Sequence, residues 1–233
     1  MALYFMFMLP GILLMFWAQA KVKGSYAKYS KMANSKNMTG AQAARMVLDA
    51  NGLHNVPIEM DKNPRAELSD HYDPRSRKLV LSRGIYAVPS IAAVAVAAHE
   101  AGHAIQHATG YAPLKTRTAL VPAVNIGSNL GFIVLLAGLF MQITGLAWAG
   151  VALFGLSTLF AAVTLPVEFD ASKRAKVALV QTGIVDGGVA GGPEGKGVDT
   201  MLNSAAWTYV AGFAASLMTL LYYVMLVTGM RRD

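Results

Sequence analysis

Residues 119–143 read ALVPAVNIGSNLGFIVLLAGLFMQI, and one residue later 145–165 read GLAWAGVALFGLSTLFAAVTL. Neither stretch carries a charge. Each has about the 20 residues an α-helix needs to cross roughly 30 Å of hydrocarbon. The link between them leaves room only for a tight turn, so the pair is expected to form a membrane hairpin. A hairpin returns the chain to the side it left. The polar sequences ending at Thr118 and beginning at Pro166 should therefore share one side of a membrane.

Two further apolar runs flank this pair. Residues 2–20 (ALYFMFMLPGILLMFWAQA) are uncharged, with Pro10 a candidate kink. Their basic residues follow the apolar core instead of preceding it, which fits an uncleaved signal anchor better than a removable signal peptide. Residues 205–229 (AAWTYVAGFAASLMTLLYYVMLVTG) form the fourth run. The bulk numbers agree: of 233 residues, 55% are hydrophobic and only 14% charged, against about a quarter charged in soluble domains. Mean hydropathy is +0.42. With no cysteine, disulfides and thiolate metal sites are excluded, and any metal must take nitrogen and oxygen ligands. The formal charge of +7 sits beside apolar runs, without the basic–aromatic interleaving of a nucleic-acid surface, so no nucleic-acid partner is expected.

Lysine and arginine set the orientation. Lys21, Lys23, Lys28, Lys31 and Lys36 follow the first run, and Lys173, Arg174 and Lys176 follow the third. The positive-inside rule places both polar parts in the cytoplasm and the N-terminus outside, with Arg231 and Arg232 outvoted.

Within the first polar part, TGAQAARMVLDANG (39–52) reads as a short amphipathic helix capped by Thr39 and ended by Gly52. VPIEM (56–60) and RKLVLS (77–82) have strand composition, with D-P-R-S as a turn. PSIAAVAVAAHEAGHAIQH (89–107) reads as a helix with Pro89 at its start and Ser90 as cap. The second polar part contains GGPEGKG (191–197), expected to be a flexible loop.

The helix at 89–107 holds three of the five histidines, two of them spaced H-E-x-x-H. Positions i and i+4 share a helix face, so His99 and His103 can both point at one metal. Glu100, turned by about 100°, is placed to meet a water beside the metal. Two imidazoles holding Zn²⁺ with a glutamate as general base is the chemistry this spacing serves. Gly102 removes bulk where another backbone can approach. His107 is over two turns from His99, which suits a supporting or surface role. A catalytic zinc needs a third protein ligand. LPVEFDASKRA (165–175) offers Glu168 and Asp170 at the cytoplasmic end of the third span. The bland alternative is a solvated helix end balanced by Lys173 and Arg174.

AAHEAGHAIQH, followed by a membrane hairpin and LPVEFDAS, resembles the neutral zinc metallopeptidases of bacteria, the YugP-like family. The resemblance spans essentially the whole chain, including DHYDPR (70–75) and the A-x-x-Y-V-A start of the last span. It is more distantly similar to the HtpX-like and CAAX-prenyl membrane peptidases, which are gluzincins. The resemblance implies His99, His103 and Glu168 as zinc ligands and Glu100 as catalytic base. The HtpX-like group usually has an aspartate four residues after the ligand glutamate. Here Ser172 stands there, and Asp170 lies about 200° round the helix from Glu168.

In zincins a strand edge aligns the peptide by main-chain hydrogen bonds. Residues 66–72 or 77–82 are candidates for that edge, with His71 or Tyr72 as oxyanion donor. The alternative is an ordinary turn.

The expected fold is an α-helical integral membrane protein with about four transmembrane helices and a small α+β zincin-like catalytic domain. It divides into an anchor at 1–20, a cytoplasmic catalytic region at 21–118, the hairpin at 119–165, a cytoplasmic segment with the third ligand at 166–204, and a last transmembrane helix at 205–233. The expected function is a zinc metalloendopeptidase of the bacterial inner membrane, its partners a polypeptide substrate and the lipid bilayer. One rival is a site-2-type intramembrane protease using Asp186 of V-D-G-G (185–188). Another is a membrane scaffold with a closed structural metal site, its fourth ligand being Asp170, His71 or His107. Asn125, Ser128 and Asn129, at i, i+3 and i+4 on the second span, are expected to face the helix bundle. The alternative is a polar wall beside a cavity.

Overall fold

The computed structural model describes residues 2–63, 67–188 and 191–230. Arg231, Arg232 and residue 66 of the candidate substrate edge lie outside them. The described chain is mostly helical. In order, it runs α1 (Ala2–Tyr29), α2 (Gly40–Ala50), β1 (Ile58–Met60), β2 (His71–Asp73), β3 (Lys78–Leu81), α3 (Arg83–Tyr86), α4 (Ile91–Ala108), α5 (Ala112–Phe140), α6 (Thr144–Gln181) and α7 (Gly192–Gly229). Among the described residues, α1, α5, α6 and α7 are long and apolar enough to cross a membrane. At 1.5 Å per residue, the 38 residues of α6 reach about 57 Å, well beyond one hydrocarbon core.

The residues group into two compact units, Met1–Gln19, Ala112–Pro166 and Trp207–Asp233 in one, Ala20–Tyr111 and Val167–Ala206 in the other. The first unit holds the apolar parts of the four long helices. The expected hairpin is present: α5 turns into α6 across 141–143, with Gln142 at φ 55°. Its helices approach closely because glycines face each other's backbones. A Cβ on Gly150 would meet the Leu135 nitrogen at 2.3 Å, and one on Gly138 would meet that of Ala147 at 2.3 Å. In lipid, such close van der Waals packing replaces the hydrophobic effect as the cohesive force. It also corrects the expectation for the asparagines. The inward face of α5 carries Gly127, Gly131, Leu135 and Gly138, whereas Asn125 and Asn129 are exposed and Ser128 is half-buried.

The second unit surrounds α4. The alanine-rich α4 is the core of this unit, with 14 of its 18 residues buried, Glu100, His103 and Gln106 among them. Ser90 caps it by accepting from the Ala93 N–H. Helix α2 begins with the capping box Thr39/Gln42 and packs Gly40 against the carbonyls of Ile85 and Ala93, leaving no room for a side chain. The sheet order is β1-β3-β2, with β1 parallel and β2 antiparallel to β3. Leu79 and Leu81 of β3 are buried while Lys78 and Val80 are half-buried, the period-2 alternation of a strand. Since β3 is central, residues 77–82 are not a free edge; β2 is.

One segment departs from its expected state. GGPEGKG (191–197) is helical from Gly192 onward. Pro193 is tolerated in a first turn, where its missing N–H has no partner to lose, and Glu194 there favours the helix dipole. Gly197 packs against Ile91 and Tyr29, where a Cβ would sit 2.9–3.0 Å from their side chains. Tertiary contact thus overrides the turn-like composition.

Candidate metal centre

Helical spacing brings the His99 and His103 rings together, centroids 4.8 Å apart and nearly perpendicular. Glu168 comes from α6, 69 residues downstream of His99. The two helices can meet because Gly102 lies against the backbone of Ala171, where a Cβ would be 2.6 Å from the carbonyl oxygen. His99 Nε2 stands 3.1 Å and His103 Nε2 3.5 Å from Glu168 Oε2. Nitrogen and oxygen ligands about 2.0–2.2 Å from a tetrahedral zinc lie about 3.3–3.5 Å from each other, so these separations fit. One ligand atom from each of the three residues falls within 4.8 Å of the others.

The far side of each imidazole is also occupied. His99 Nδ1 shares a 3.1 Å hydrogen bond with Ser172 Oγ, and His103 Nδ1 bonds Gln106 Oε1 at 3.0 Å. Ligand histidines characteristically hold their second nitrogen in this way. Ser172 therefore occupies the position, four residues after Glu168, where the HtpX-like pattern has aspartate. Asp170 touches neither histidine. It accepts from Gln106 Nε2 at 2.8 Å and from Arg174 Nε. Neither Ser172 nor Gln106 was singled out by the sequence as a contact of the site. The signal for Ser172 was its i+4 spacing from Glu168, and Gln106 lies within the quoted AAHEAGHAIQH.

Glu100 is 7% exposed, and its Oε2 accepts the Tyr72 backbone N–H at 2.9 Å. Burial pushes its carboxyl above the usual glutamate range against the opposing pull of His99 and His103. Burial also disfavours the charged form of His103, but the Glu168 and Glu100 carboxylates, with the Gln106 hydrogen bond, together raise the imidazole. Glu168, three residues beyond the apolar stretch 145–165, shows the converse. Burial would raise it, but hydrogen bonds from His103 and His99 hold it well below the usual carboxylate range.

The other expected residues are placed as follows. The exposed His71 ring donates from Nδ1 to the Ser69 carbonyl at 2.8 Å, and the Tyr72 hydroxyl shares a 2.8 Å hydrogen bond with His107 Nδ1. The Tyr72 hydroxyl is thus engaged by His107, and Tyr72 reaches Glu100 through its backbone N–H instead. Asp186 pairs with Lys36 at 2.9 Å and is 68% exposed, apart from the His99–His103–Glu168 group, which weakens the intramembrane alternative. Asp170, His71 and His107 are likewise not members of that group among the described residues, as a closed four-ligand site would require.

The chain belongs to the family described as "Putative neutral zinc metallopeptidase", which matches residues 4–228. It is 42% identical over 220 residues, 94% of either chain, to the "Putative membrane protease YugP" of Bacillus subtilis (strain 168). No solved structure matches it.

Proposed function

We propose that the chain is a zinc-dependent metalloendopeptidase embedded in the bacterial inner membrane, with its site on the cytoplasmic side. The observation that carries this is the convergence of two imidazole Nε2 atoms and one carboxylate, with a buried glutamate held beside them. Three protein ligands leave a fourth position open, as catalytic zinc sites do. Zinc bound by His99, His103 and Glu168 would polarise the substrate carbonyl and acidify a water.

The remaining work falls to the chain. Glu100 Oε2 is held by the Tyr72 N–H, which leaves Oε1 to take the proton of the attacking water. As the water oxygen bonds to the carbonyl carbon and the C–N bond breaks, Glu100 hands that proton to the departing amine. Edge strand β2 is where an extended polypeptide would lie alongside, pairing through groups other than the Tyr72 N–H that Glu100 holds. The lysines following α1's apolar run, with Lys173, Arg174 and Lys176, support the cytoplasmic orientation.

Glu100→Gln tests the reading. Zinc-loaded wild-type protein should cleave casein and stop when a chelator is added. The variant should keep its zinc and lose about 10²–10⁴-fold in turnover. Near-normal turnover in the variant would exclude Glu100 as the base.

A further inference from the structure

Gln106 is fully buried, and every hydrogen-bonding atom of its amide is committed. Its Nε2 donates to the Val167 carbonyl at 2.7 Å and to Asp170 Oδ2 at 2.8 Å. Both partners accept only: one is a backbone carbonyl, the other a carboxylate that Arg174 also pairs. Turning the amide over would set Oε1 against two acceptor oxygens and take from each the donor that Nε2 supplies. The amide therefore has one orientation, with Oε1 towards His103 Nδ1 at 3.0 Å. An acceptor oxygen in that place requires the imidazole proton on Nδ1. Glu168 Oε2 is also an acceptor, but it stands 3.5 Å from Nε2, so the shorter 3.0 Å bond to Gln106 keeps the proton of a neutral His103 on Nδ1 and leaves the lone pair on Nε2.

We infer that Gln106 is a positioning residue that fixes His103 as its Nδ1–H tautomer, with Asp170 and Arg174 holding the amide from behind. The inference rests on the zinc-site reading and concerns how this chain prepares a ligand before metal arrives. His99 is held differently. The Ser172 hydroxyl can donate or accept, so it leaves the tautomer of His99 open. The two ligand histidines thus differ in how firmly they are set, and His103 is the pre-organised one.

The test uses full-length protein in detergent, ¹⁵N-labelled at histidine, with His103 assigned by substitution. In metal-free wild-type protein above its imidazole titration, His103 should show the Nδ1–H tautomer. In Gln106→Leu, which keeps the bulk but offers no acceptor, that signature should give way to a mixture or to Nε2–H. Zinc affinity, read by chelator competition, should fall about 10–100-fold. The tautomer readout is one that a merely structural role of Gln106 would not move. An Nε2–H tautomer in the wild type overturns the inference without any variant having to fold. So does a Gln106→Leu protein with unchanged tautomer and affinity. Wild-type protein that takes up no zinc overturns the metal-site reading, and the inference with it.

Discussion

Gly102→Ala perturbs the metal centre without touching a ligand. A Cβ at this position would lie 2.6 Å from the Ala171 carbonyl oxygen, 3.2 Å from its carbon and 3.3 Å from its Cα. All three are backbone atoms inside a helix, so no side chain can swing away. Carbon–oxygen contacts settle near 3.3 Å or more, so α4 and α6 must separate locally by about 0.7 Å. Overpacking of this kind costs about 1–3 kcal/mol. Metal–ligand distances tolerate only about 0.2 Å. His99 and His103 lie on one side of the gap and Glu168 on the other, so zinc should feel the separation first. At about 1.4 kcal/mol per tenfold change, the expected loss is about 10–100-fold in zinc affinity, together with a lower melting temperature. Gly24→Ala in α1 is the control. Nothing lies within 4 Å of its Cβ, and glycine to alanine inside a helix stabilises by about 0.4–1 kcal/mol. Zinc competition and thermal unfolding in detergent would be run on both variants. A Gly102→Ala protein with wild-type affinity and melting temperature would refute the claim that this contact sets the site.

Glu168→Ala should empty the site of zinc, whereas Asp170→Ala should keep the metal with about 10–100-fold weaker affinity; zinc per protein after gel filtration decides, and the reverse order would reassign the third ligand. Burial pushes the Asp70 carboxyl up despite hydrogen bonds from the Ser82 backbone and side chain. The folded chain thus holds this proton to a higher pH than the unfolded one. The stability it contributes is complete below the unfolded value of about 3.9 and is lost as pH rises through the folded one. Asp70→Asn should flatten that slope in denaturant titrations upward from about pH 4; an unchanged slope assigns it to another group. The wild-type chain has no cysteine, so single cysteines at exposed Ser35 and Lys196 can report topology. The Ser35 N–H bonds the Glu194 carboxylate, so the two positions share one side, and both should resist an impermeant thiol reagent in intact cells. Labelling of either one contradicts the cytoplasmic assignment.

What the sequence made legible was local. The hairpin of α5 and α6 follows from two uncharged runs one residue apart. Helix α4 follows from Pro89, Ser90 and the alanine pattern, and α2 from Thr39 and Gly52. Each depends on neighbours within a few residues. The failures needed partners far along the chain. Residues 191–197 look like a loop until Gly197 is seen against Tyr29 and Ile91. The asparagines of α5 look like bundle-facing groups until Gly127, Gly131 and Gly138 take that side. Tyr72 drew notice for its hydroxyl, but its backbone N–H reaches Glu100, a contact any residue other than proline could make. Main-chain contacts leave no mark on composition.

The ligand assignment turns on a pairing of helical stripes. On α4 the stripe is His99, Gly102, His103 and Gln106, at i, i+3, i+4 and i+7. On α6 it is Glu168, Ala171 and Ser172, at i, i+3 and i+4, the same spacing. Glycine meets alanine at the point of closest approach, and the polar groups sit around that contact. Asp170 is off the α6 stripe by helical angle, which argues against direct ligation. It still connects to the site because Gln106, a turn beyond His103, extends far enough to meet it. On the proposed reading, one helix would supply the third ligand from its contact face, and from the adjacent side a carboxylate that orients a ligand on the other helix. It follows that widening the α4–α6 contact and removing Asp170 should weaken zinc in distinguishable ways. The first separates ligands from one another. The second leaves their positions alone and loosens the amide that orients His103.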